Sequence, residues 1–294
     1  MKLAQDRSRA GLLMVAGAAV AWSMSGLFTR SIHADVWTLL VWRGFAGAAS
    51  IALWMLWRDR VAAMAAFRNF GAPAWTYAIV NAFGMVNFIA AFKYTSVADV
   101  LIIYALAPFL VAGVAWLWFG EKTTKATLVA AAVALLGVSI TVGGAAGSGN
   151  LIGDVLALAM TLSVVAITVI ARRYQAIPMM AAACMSSLLS GLVSLPFAAP
   201  LSLRGEEIVY AILFGVIAMG IALSLYSEGS RLAPASKASL VSILETPLSA
   251  LWVWIAFAET PGMASIVGGT IVLLAVIGNV VWDAWRPTAS SVAT

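Results

Sequence analysis

Ten long apolar runs, separated by short polar connections, dominate the pattern of hydrophobic and polar positions along the chain. They cover residues 11–28, 36–57, 71–92, 97–119, 126–143, 152–170, 179–199, 206–229, 234–257 and 264–284. Each run is longer than a typical strand, and small and branched apolar residues cover all of its faces, as expected when lipid or another helix surrounds it. A bilayer-spanning helix needs about 20 mostly apolar residues. The pattern therefore predicts an all-α polytopic membrane protein with ten transmembrane helices.

The amino-acid composition excludes several classes of protein. Of the 294 residues, 63% are hydrophobic and 10% charged, whereas a soluble protein carries about 25% charged residues. A lone Cys184 and a lone His33 exclude a disulfide framework and metal sites that need several Cys or His ligands. Because no Gly-x-Ser-x-Gly, His-Glu-x-x-His or Asp-rich motif occurs, we expect neither an enzyme nor a lipid carrier, and no cofactor.

The positive residues predict the topology. Counting alternate sides of the ten helices, thirteen of the seventeen Lys and Arg residues fall on one side: Lys2, Arg7, Arg9, Arg58, Arg60, Arg68, Lys122, Lys125, Arg172, Arg173, Arg231, Lys237 and Arg286. Only Arg30, Lys93 and Arg204 fall on the other side. Positive residues in short loops mark the cytoplasmic side, so both termini are predicted to be cytoplasmic. The net charge of +5 forms no continuous stripe, which argues against nucleic acid as a partner.

The start of the chain has a second interpretation. Positive residues before an apolar run are also typical of a signal peptide, but this run is long and nine more follow it, which favours a first transmembrane helix.

The chain divides into two similar halves. A small-residue stretch from Gly143 to Asn150 is typical of a flexible linker, so we predict a first five-helix repeat over 1–143, a linker over 144–151 and a second repeat over 152–294. Five helices in each half force the second repeat to enter the membrane in the opposite direction. Pro108 and Pro247 lie inside corresponding helices, which is typical of a transporter with a site at the interface of inverted repeats. We expect the two helices to bend at these prolines, which would act as hinges for alternating access.

The sequence resembles the drug/metabolite transporter superfamily, of the EamA type, over about residues 11–284. The residues that carry the resemblance are Ala21-Trp22-Ser23, Arg30, Arg43, Tyr94-Thr95-Ser96, Pro108 and Gly120-Glu121 in the first half, and Ala171-Arg172-Arg173, Leu232-Ala233-Pro234-Ala235, Pro247 and Glu259 in the second. Within the superfamily, the segment from Trp22 to Leu27 and the tract that ends at Pro108 are most similar to exporters of aromatic and other amino acids.

The resemblance implies a function. It implies a secondary transporter in the bacterial inner membrane that exports small amphipathic metabolites, foremost amino acids including aromatic ones, by alternating access, as a monomer or a homodimer. The lipid bilayer and the small-molecule substrate are its expected partners. The alternatives are an exporter or facilitator of other metabolites or drugs, and a nucleotide-sugar or phosphate-ester transporter; the last predicts buried Lys and Arg in helices eight to ten, which the sequence lacks.

The resemblance also implies a cavity walled by helices one, three, four, six, eight and nine. The polar and aromatic candidates on these helices are Trp22, Tyr77, Asn81, Tyr104, Ser163 and Tyr226. Tyr77 and Asn81 share one helical stripe, and Tyr104 lies one turn before Pro108, where proline frees a carbonyl group. A pocket lined by aromatic side chains is expected to have one of them at position 163, where this sequence has Ser163. Each candidate also has a purely structural interpretation. Trp22 would pack against its neighbours, Asn81 would form a hydrogen bond between helices, and Tyr226 would anchor the helix at the membrane interface. Pro108 and Pro247 would only kink their helices.

Ionisable residues inside the membrane are costly and tend to be functional. Glu245 lies about eleven residues into helix nine, near the middle of the bilayer, where it is predicted to bind a substrate ammonium, to bind a proton, or to pair with Arg43. Arg43 lies about 10 Å from the outer boundary, so it either snorkels to the surface or faces the cavity and attracts a carboxylate. Asp99, near the outer end of helix four, is predicted to pair with Lys93.

Helices five and ten carry small residues at four-residue spacing. Ala126, Ala130 and Ala134 follow this spacing in helix five, as do Ser265 and Gly269 in helix ten. Such faces allow backbones to approach closely. We therefore predict that these helices pack the two halves together, or pack against a second subunit, away from the transport path.

Overall fold

The computed structural model describes residues 2–120, 124–145, 151–233, 238, 241–242, 244–258 and 262–285. All regular structure in these residues is helical. Glu121 and Glu259 lie outside the described residues, and so does most of the predicted linker over 144–151.

Seven helices make up the part of the chain before residue 120. They are α1 (Lys2–Ser23), α2 (Ser25–Ser31), α3 (Val36–Asp59), α4 (Val61–Arg68), α5 (Ala72–Tyr94), α6 (Val97–Tyr104) and α7 (Ala107–Phe119). The short α4 lies in a stretch that the hydrophobic pattern assigned to a connection. The first apolar run forms two helices, because the chain turns at Met24.

Seven more helices follow. They are α8 (Lys125–Ala145), α9 (Leu151–Arg173), α10 (Met179–Ser194), α11 (Gly205–Phe214), α12 (Ala222–Leu232), α13 (Glu245–Phe257) and α14 (Met263–Trp285). A π-helix, Gly215–Ile221, joins α11 to α12 without a break. Two short 3₁₀ turns, Leu195–Phe197 and Pro200–Ser202, connect α10 to α11.

Eight spans in the described residues are long and apolar enough to cross a membrane. They are Arg9–Ser31, Val36–Arg58, Ala72–Tyr94, Val97–Trp118, Lys125–Gly143, Leu151–Arg173, Met179–Phe197 and Gly205–Leu232. A shorter apolar segment, Met263–Asn279, lies within α14. The predicted ninth helix is described in part, as α13 and a few residues before it, so the count of ten stays a prediction.

Large apolar side chains are exposed along the helices. Trp57, Leu117, Trp118, Ile152 and Met263 each expose more than three-fifths of their surface. So many exposed large apolar side chains are rare on soluble monomers and match the hydrocarbon that surrounds membrane helices. The protein is a multi-pass membrane protein.

The most extensive helix contacts join the first half of the chain to the second. α1 packs along α12, α3 along α10, α5 along α9, and α8 along α14. α13 lies against α1, α2 and α6. The core of the bundle is therefore an interface between the two halves.

The contact of α8 with α14 packs the two halves together, as predicted from small residues. Ala130 and Ala134 are buried between helices, and a Cβ atom added to Gly137 would lie 2.6 Å from the carbonyl oxygen of Gly268. The two backbones thus touch at this point, as small residues permit.

The predicted stripe of Ser265 and Gly269 instead faces Asp99 and Ile102 of α6. α14 is therefore not set apart from the interior of the bundle.

The two ends of the bundle carry different side chains. We call the end that includes the connection 32–35, Thr95 and Arg204 the Asp35 end. Here the backbone N–H of His33 donates to Glu207 (3.0 Å) and the ammonium of Lys93 donates to the carbonyl of Ile32. At the opposite end, Arg58 forms an ion pair with Glu228.

Candidate functional site

Two helices begin next to a proline inside apolar spans. α6 ends at Tyr104, residues 105–106 form a turn, and α7 begins at Ala107, so Pro108 is its second residue. α13 begins at Glu245 after a turn at Leu244, and Pro247 is its third residue. The sequence predicts that each proline bends a continuous helix. Instead each one lies in the first turn of a new helix, where its missing N–H has no intrahelical partner to lose.

The helices that follow the two breaks are alike. α7 and α13 each contain 13 residues. Each ends on a left-handed residue, Gly120 with φ of 67° and Ala258 with φ of 51°. The two halves thus repeat the same sequence of break, helix and left-handed cap.

A cavity of about 220 Å³ lies between these two broken helices and α14. Tyr104 and Pro108 line it from the first half, and Ser242, Glu245 and Thr246 from the second. The rest of its wall is apolar and includes Gly269 and Val272 of α14. The structure therefore brings together two predicted site residues, Tyr104 and Glu245, and one predicted hinge, Pro108.

Arg43 is buried in the bundle. Only 1% of its surface is exposed, which excludes snorkelling to the membrane surface. Its guanidinium carbon lies 4.7 Å from the ring centroid of Phe214, a distance at which a cation–π interaction forms. Its Nε and Nη1 atoms have no hydrogen-bond partner among the described residues. Because a buried cation without hydrogen bonds is costly, this arrangement is suited to receive an anion.

Trp22 contacts the π-helix. Its indole N–H donates to the carbonyl of Ala218 at 2.8 Å, and its ring lies 5.3 Å from the ring of Tyr226. A π-helix breaks the regular i to i−4 ladder and is frequent at functional sites. Trp22, Phe214 and Ala218 belong to one hydrophobic cluster, so Arg43 and Trp22 adjoin the same group of side chains.

Three other predicted site residues lie along the contact of α5 with α9 or beside it. Tyr77 packs with Ile177 and Ala182 in a small buried cluster. The hydroxyl of Ser163 donates to the carbonyl of Ala159 in its own helix, and a Cβ atom on Gly84 would lie 2.9 Å from its Cβ. Asn81 is half-buried on α5. These residues do not line the cavity of Tyr104 and Glu245.

Two pairings considered from the sequence do not form. No salt bridge joins Glu245 to Arg43 within the described residues, and Asp99 does not pair with Lys93. Asp99 accepts a hydrogen bond from Ser265 at 2.5 Å, while Lys93 donates to the carbonyl of Ile32. The pairing of Asp99 with Lys93 was wrong because Asp99 points into the contact of α6 with α9 and α14.

Two segments of the chain, residues 9–143 and 151–281, match the family model described as the EamA-like transporter family. The chain belongs to the EamA-like transporter family. It is therefore a membrane transporter, and a small-molecule substrate and the lipid bilayer are its partners.

The fold of this EamA-like transporter has solved counterparts. A crystal structure described only as that of a protein is similar to it with a TM-score of 0.63 and 21% identity, over 95% of this chain and 100% of the other. Likeness at this identity shows the fold alone. No curated protein matches the transporter.

Sequence reasoning missed several residues that shape the transporter's interior. The π-helix was not predicted, because its residues Gly215–Ile221 are uniformly apolar and show no sign of a change in helical period. Its two glycines, Gly215 and Gly220, are the feature that the sequence offers: a Cβ atom on Gly215 would meet the backbone oxygen of Arg43, and one on Gly220 would meet the Ser50 side chain. A second missed contact joins the halves, since the indole N–H of Trp252 donates to the hydroxyl of Ser23 at 2.9 Å.

Proposed function

We propose that this transporter exports small amphipathic metabolites that carry a carboxylate, foremost amino acids including aromatic ones, by alternating access. The observation that supports the proposal best is Arg43, a fully buried guanidinium, two of whose nitrogens have no hydrogen-bond partner in the part of the chain that the structure describes.

A carboxylate is the anion that fits this position. The planar fork of a guanidinium matches two carboxylate oxygens, and the resulting bidentate pair is strong in a buried site. Phe214 covers one face of the Arg43 guanidinium, which leaves Nε and Nη1 to a ligand. Because Arg43 is enclosed here, binding requires that the π-helix region of the second half move away from α3.

Aromatic side chains are suited to the neighbouring surface. The rings of Trp22 and Tyr226 lie side by side, and Phe28 stacks on Phe214 with centroids 5.5 Å apart. Aromatic pairs of this kind gain about 0.5–1.5 kcal/mol beyond burial. An aromatic substrate gains the same stabilisation if it inserts between these rings.

We assign Glu245 to the substrate's ammonium. The ammonium and the carboxylate of an amino acid share one carbon atom, so one substrate contacts Arg43 and Glu245 together only if the rocking of the halves brings the two residues next to each other. The Glu245 carboxylate is the only acidic side chain among the described residues that line its cavity. A buried carboxylate needs a cation or a proton to balance it. An ammonium supplies that charge, and Glu245→Gln should therefore reduce affinity for amino acids more than for carboxylates that lack an amine.

The helix contacts support two inverted repeats of five helices each. If each helix of the first half is exchanged for its counterpart in the second, the pair of α1 and α12 becomes the pair of α9 and α5, and both pairs are present. The pairs of α3 with α10 and α8 with α14 map onto themselves. We propose that the halves, residues 1–143 and 152–294, rock about this interface with Pro108 and Pro247 at their hinges.

The location of the transporter follows from its charges. We propose ten membrane helices in a bacterial inner membrane, with both termini in the cytoplasm and the Asp35 end in the periplasm, because thirteen positive residues lie on the opposite side.

Binding measurements on purified protein test the role of Arg43. L-tryptophan, tryptamine and indole-3-propionate differ only in the carboxylate and the amine. We expect L-tryptophan and indole-3-propionate to raise the melting temperature and tryptamine to have little effect. Arg43→Gln should weaken L-tryptophan binding at least about 30-fold, since a buried charge contact is worth about 2 kcal/mol or more.

Arg68→Gln is the matched control, because Arg68 is an exposed arginine at the opposite end of the bundle. It should bind L-tryptophan like the unchanged protein. Equal affinity for tryptamine and L-tryptophan, or unchanged binding by folded Arg43→Gln, would contradict the proposal.

A further inference from the structure

Two buried carboxyl groups meet at the Asp35 end, across the interface of the halves. Asp99 of α6 is 5% exposed and Asp154 of α9 is 2% exposed. The hydroxyl of Thr95 lies 2.9 Å from Oδ1 of Asp154 and 3.4 Å from Oδ2 of Asp99. Ser265 of α14 donates to the other oxygen of Asp99. The first half contributes Thr95 and Asp99, and the second contributes Asp154 and Ser265.

Oδ2 of Asp154 has no partner. It is buried, and no described residue donates a hydrogen bond to it. The single proton of the Thr95 hydroxyl serves one carboxylate at a time, so the two acids compete for it. A second negative charge at this place would be both desolvated and repelled by the first.

Two cations lie in the surroundings, and each donates to a backbone carbonyl group. From α2, Arg30 donates to the backbone carbonyl of Thr95 at 2.9 Å. From α5, Lys93 is directed to the carbonyl of Ile32, and Tyr94 is exposed.

The remaining helices around the pair carry their titratable residues elsewhere. In α6 the next such residue is Tyr104, more than one turn away. In the described parts of α8, α9 and α14 the others are Lys125, Arg172 and Arg173, all towards the opposite end of the bundle. In α13, which packs against α6, the titratable residue is Glu245, and it lines the cavity of Tyr104. Two carboxylates that share one hydroxyl donor place two negative charges together, and one proton on Asp154 neutralises one of them.

We propose that Asp154 holds a proton beside the carboxylate of Asp99, and that this proton keeps the two halves closed at the Asp35 end. When the proton leaves, the carboxylates repel each other, α6 separates from α9 and α14, and the Asp35 end opens. The site is a proton-sensitive gate, and it does not depend on which substrate the transporter carries.

Distances between spin labels in lipid nanodiscs test the gate without any substrate. Exposed Tyr94 of the first half and exposed Met263 of the second are replaced by labelled cysteines, in a Cys184→Ala background. Between roughly pH 4 and pH 9, we expect one short distance in acid and a growing longer population as the pH rises. In Asp154→Asn the amide cannot ionise, so the distance between the two spin labels should stay short at every pH.

Glu206→Gln is the matched control, since Glu206 is an exposed acid at the same end; it should respond to pH like the unchanged protein. If Asp154→Asn does not fold, Asp99→Asn serves as the test in its place. It should also lose the response of the label distance to pH. A pH-independent distance in the unchanged protein, or a full pH response in folded Asp154→Asn and Asp99→Asn, overturns the proposal. So does closure by added Na⁺ at constant high pH, because the ligand would then be a metal cation.

Discussion

Asp35 shows how one side chain sets the start of a membrane helix. It precedes α3, and its carboxylate accepts hydrogen bonds from the backbone N–H groups of Trp37 (2.9 Å) and Thr38 (3.0 Å). Partial burial raises the pKa of Asp35, but hydrogen bonds from the Thr38 side chain and from these backbone groups outweigh it and lower the pKa below 3.8. The ionised form is therefore the one that caps the helix.

Replacing Asp35 should destabilise the transporter in a pH-dependent way. Loss of an N-cap costs about 1 kcal/mol, so we expect Asp35→Ala to lower the free energy of unfolding in detergent by about this amount at neutral pH. Because the folded-state pKa is depressed, the cap's contribution is present above about pH 4 and is lost as the pH falls through the folded-state pKa. Unfolding titrations of both proteins measure the difference, and a gap that persists undiminished in acid would contradict the capping role.

Arg43 and Asp154 show which residues of the interior could be found from the sequence and which could not. The sequence identified Arg43 as a buried ionisable candidate because a charge inside an apolar run is conspicuous. It did not identify Asp154 as the partner of Asp99, because Asp154 lies close to the predicted helix end, where an acid usually faces water. Their contact depends on how α6 and α9 pack, which no local pattern encodes.

Helical elements were largely predictable from hydrophobic length. Apolar runs such as 36–57, 71–92 and 152–170 correspond closely to α3, α5 and α9. The interruptions were harder to place: Pro108 and Pro247 indicated irregularity, yet the turns lie just before them, and the break at Met24 has no proline nearby. Such breaks are stabilised by neighbouring helices, so their position depends on tertiary contacts.

The contact of α8 with α14 gives a test at the level of elements. Gly137 touches the backbone of Gly268, whereas a Cβ atom on Gly143 of the same helix would meet nothing within 4 Å. We expect Gly137→Ala to lower the free energy of unfolding by about 1–3 kcal/mol through overpacking. Gly143→Ala should be neutral or slightly stabilising, since alanine favours a helix. Thermal melting of the two variants compares them, and equal stability would contradict the close backbone contact.

At the scale of the whole molecule, charge asymmetry predicts the orientation in the membrane. Arg204 lies at the Asp35 end and Tyr174 at the opposite end, and both are exposed. In a Cys184→Ala background, a cysteine at Arg204 should react with an impermeant maleimide added outside intact cells, and one at Tyr174 only after lysis. The reverse pattern would contradict the proposed orientation.

The two-half architecture connects the separate sites. The proposed substrate region around Arg43, the cavity of Glu245 and the carboxyl pair of Asp99 and Asp154 each draw on residues or packing from both halves. A rocking motion between the halves therefore alters all three together. Alternating access is the mechanism that such an arrangement supports.

Counterflow of radiolabelled L-tryptophan into liposomes that contain the purified protein tests this account most directly. The account predicts uptake well above that of protein-free liposomes, unchanged uptake by Arg68→Gln, and loss of uptake to the protein-free level by Arg43→Gln. If folded Arg43→Gln takes up L-tryptophan at the rate of the unchanged protein, or if the unchanged protein transports none of a panel of amino acids, the assignment of an amino acid substrate to this site is contradicted.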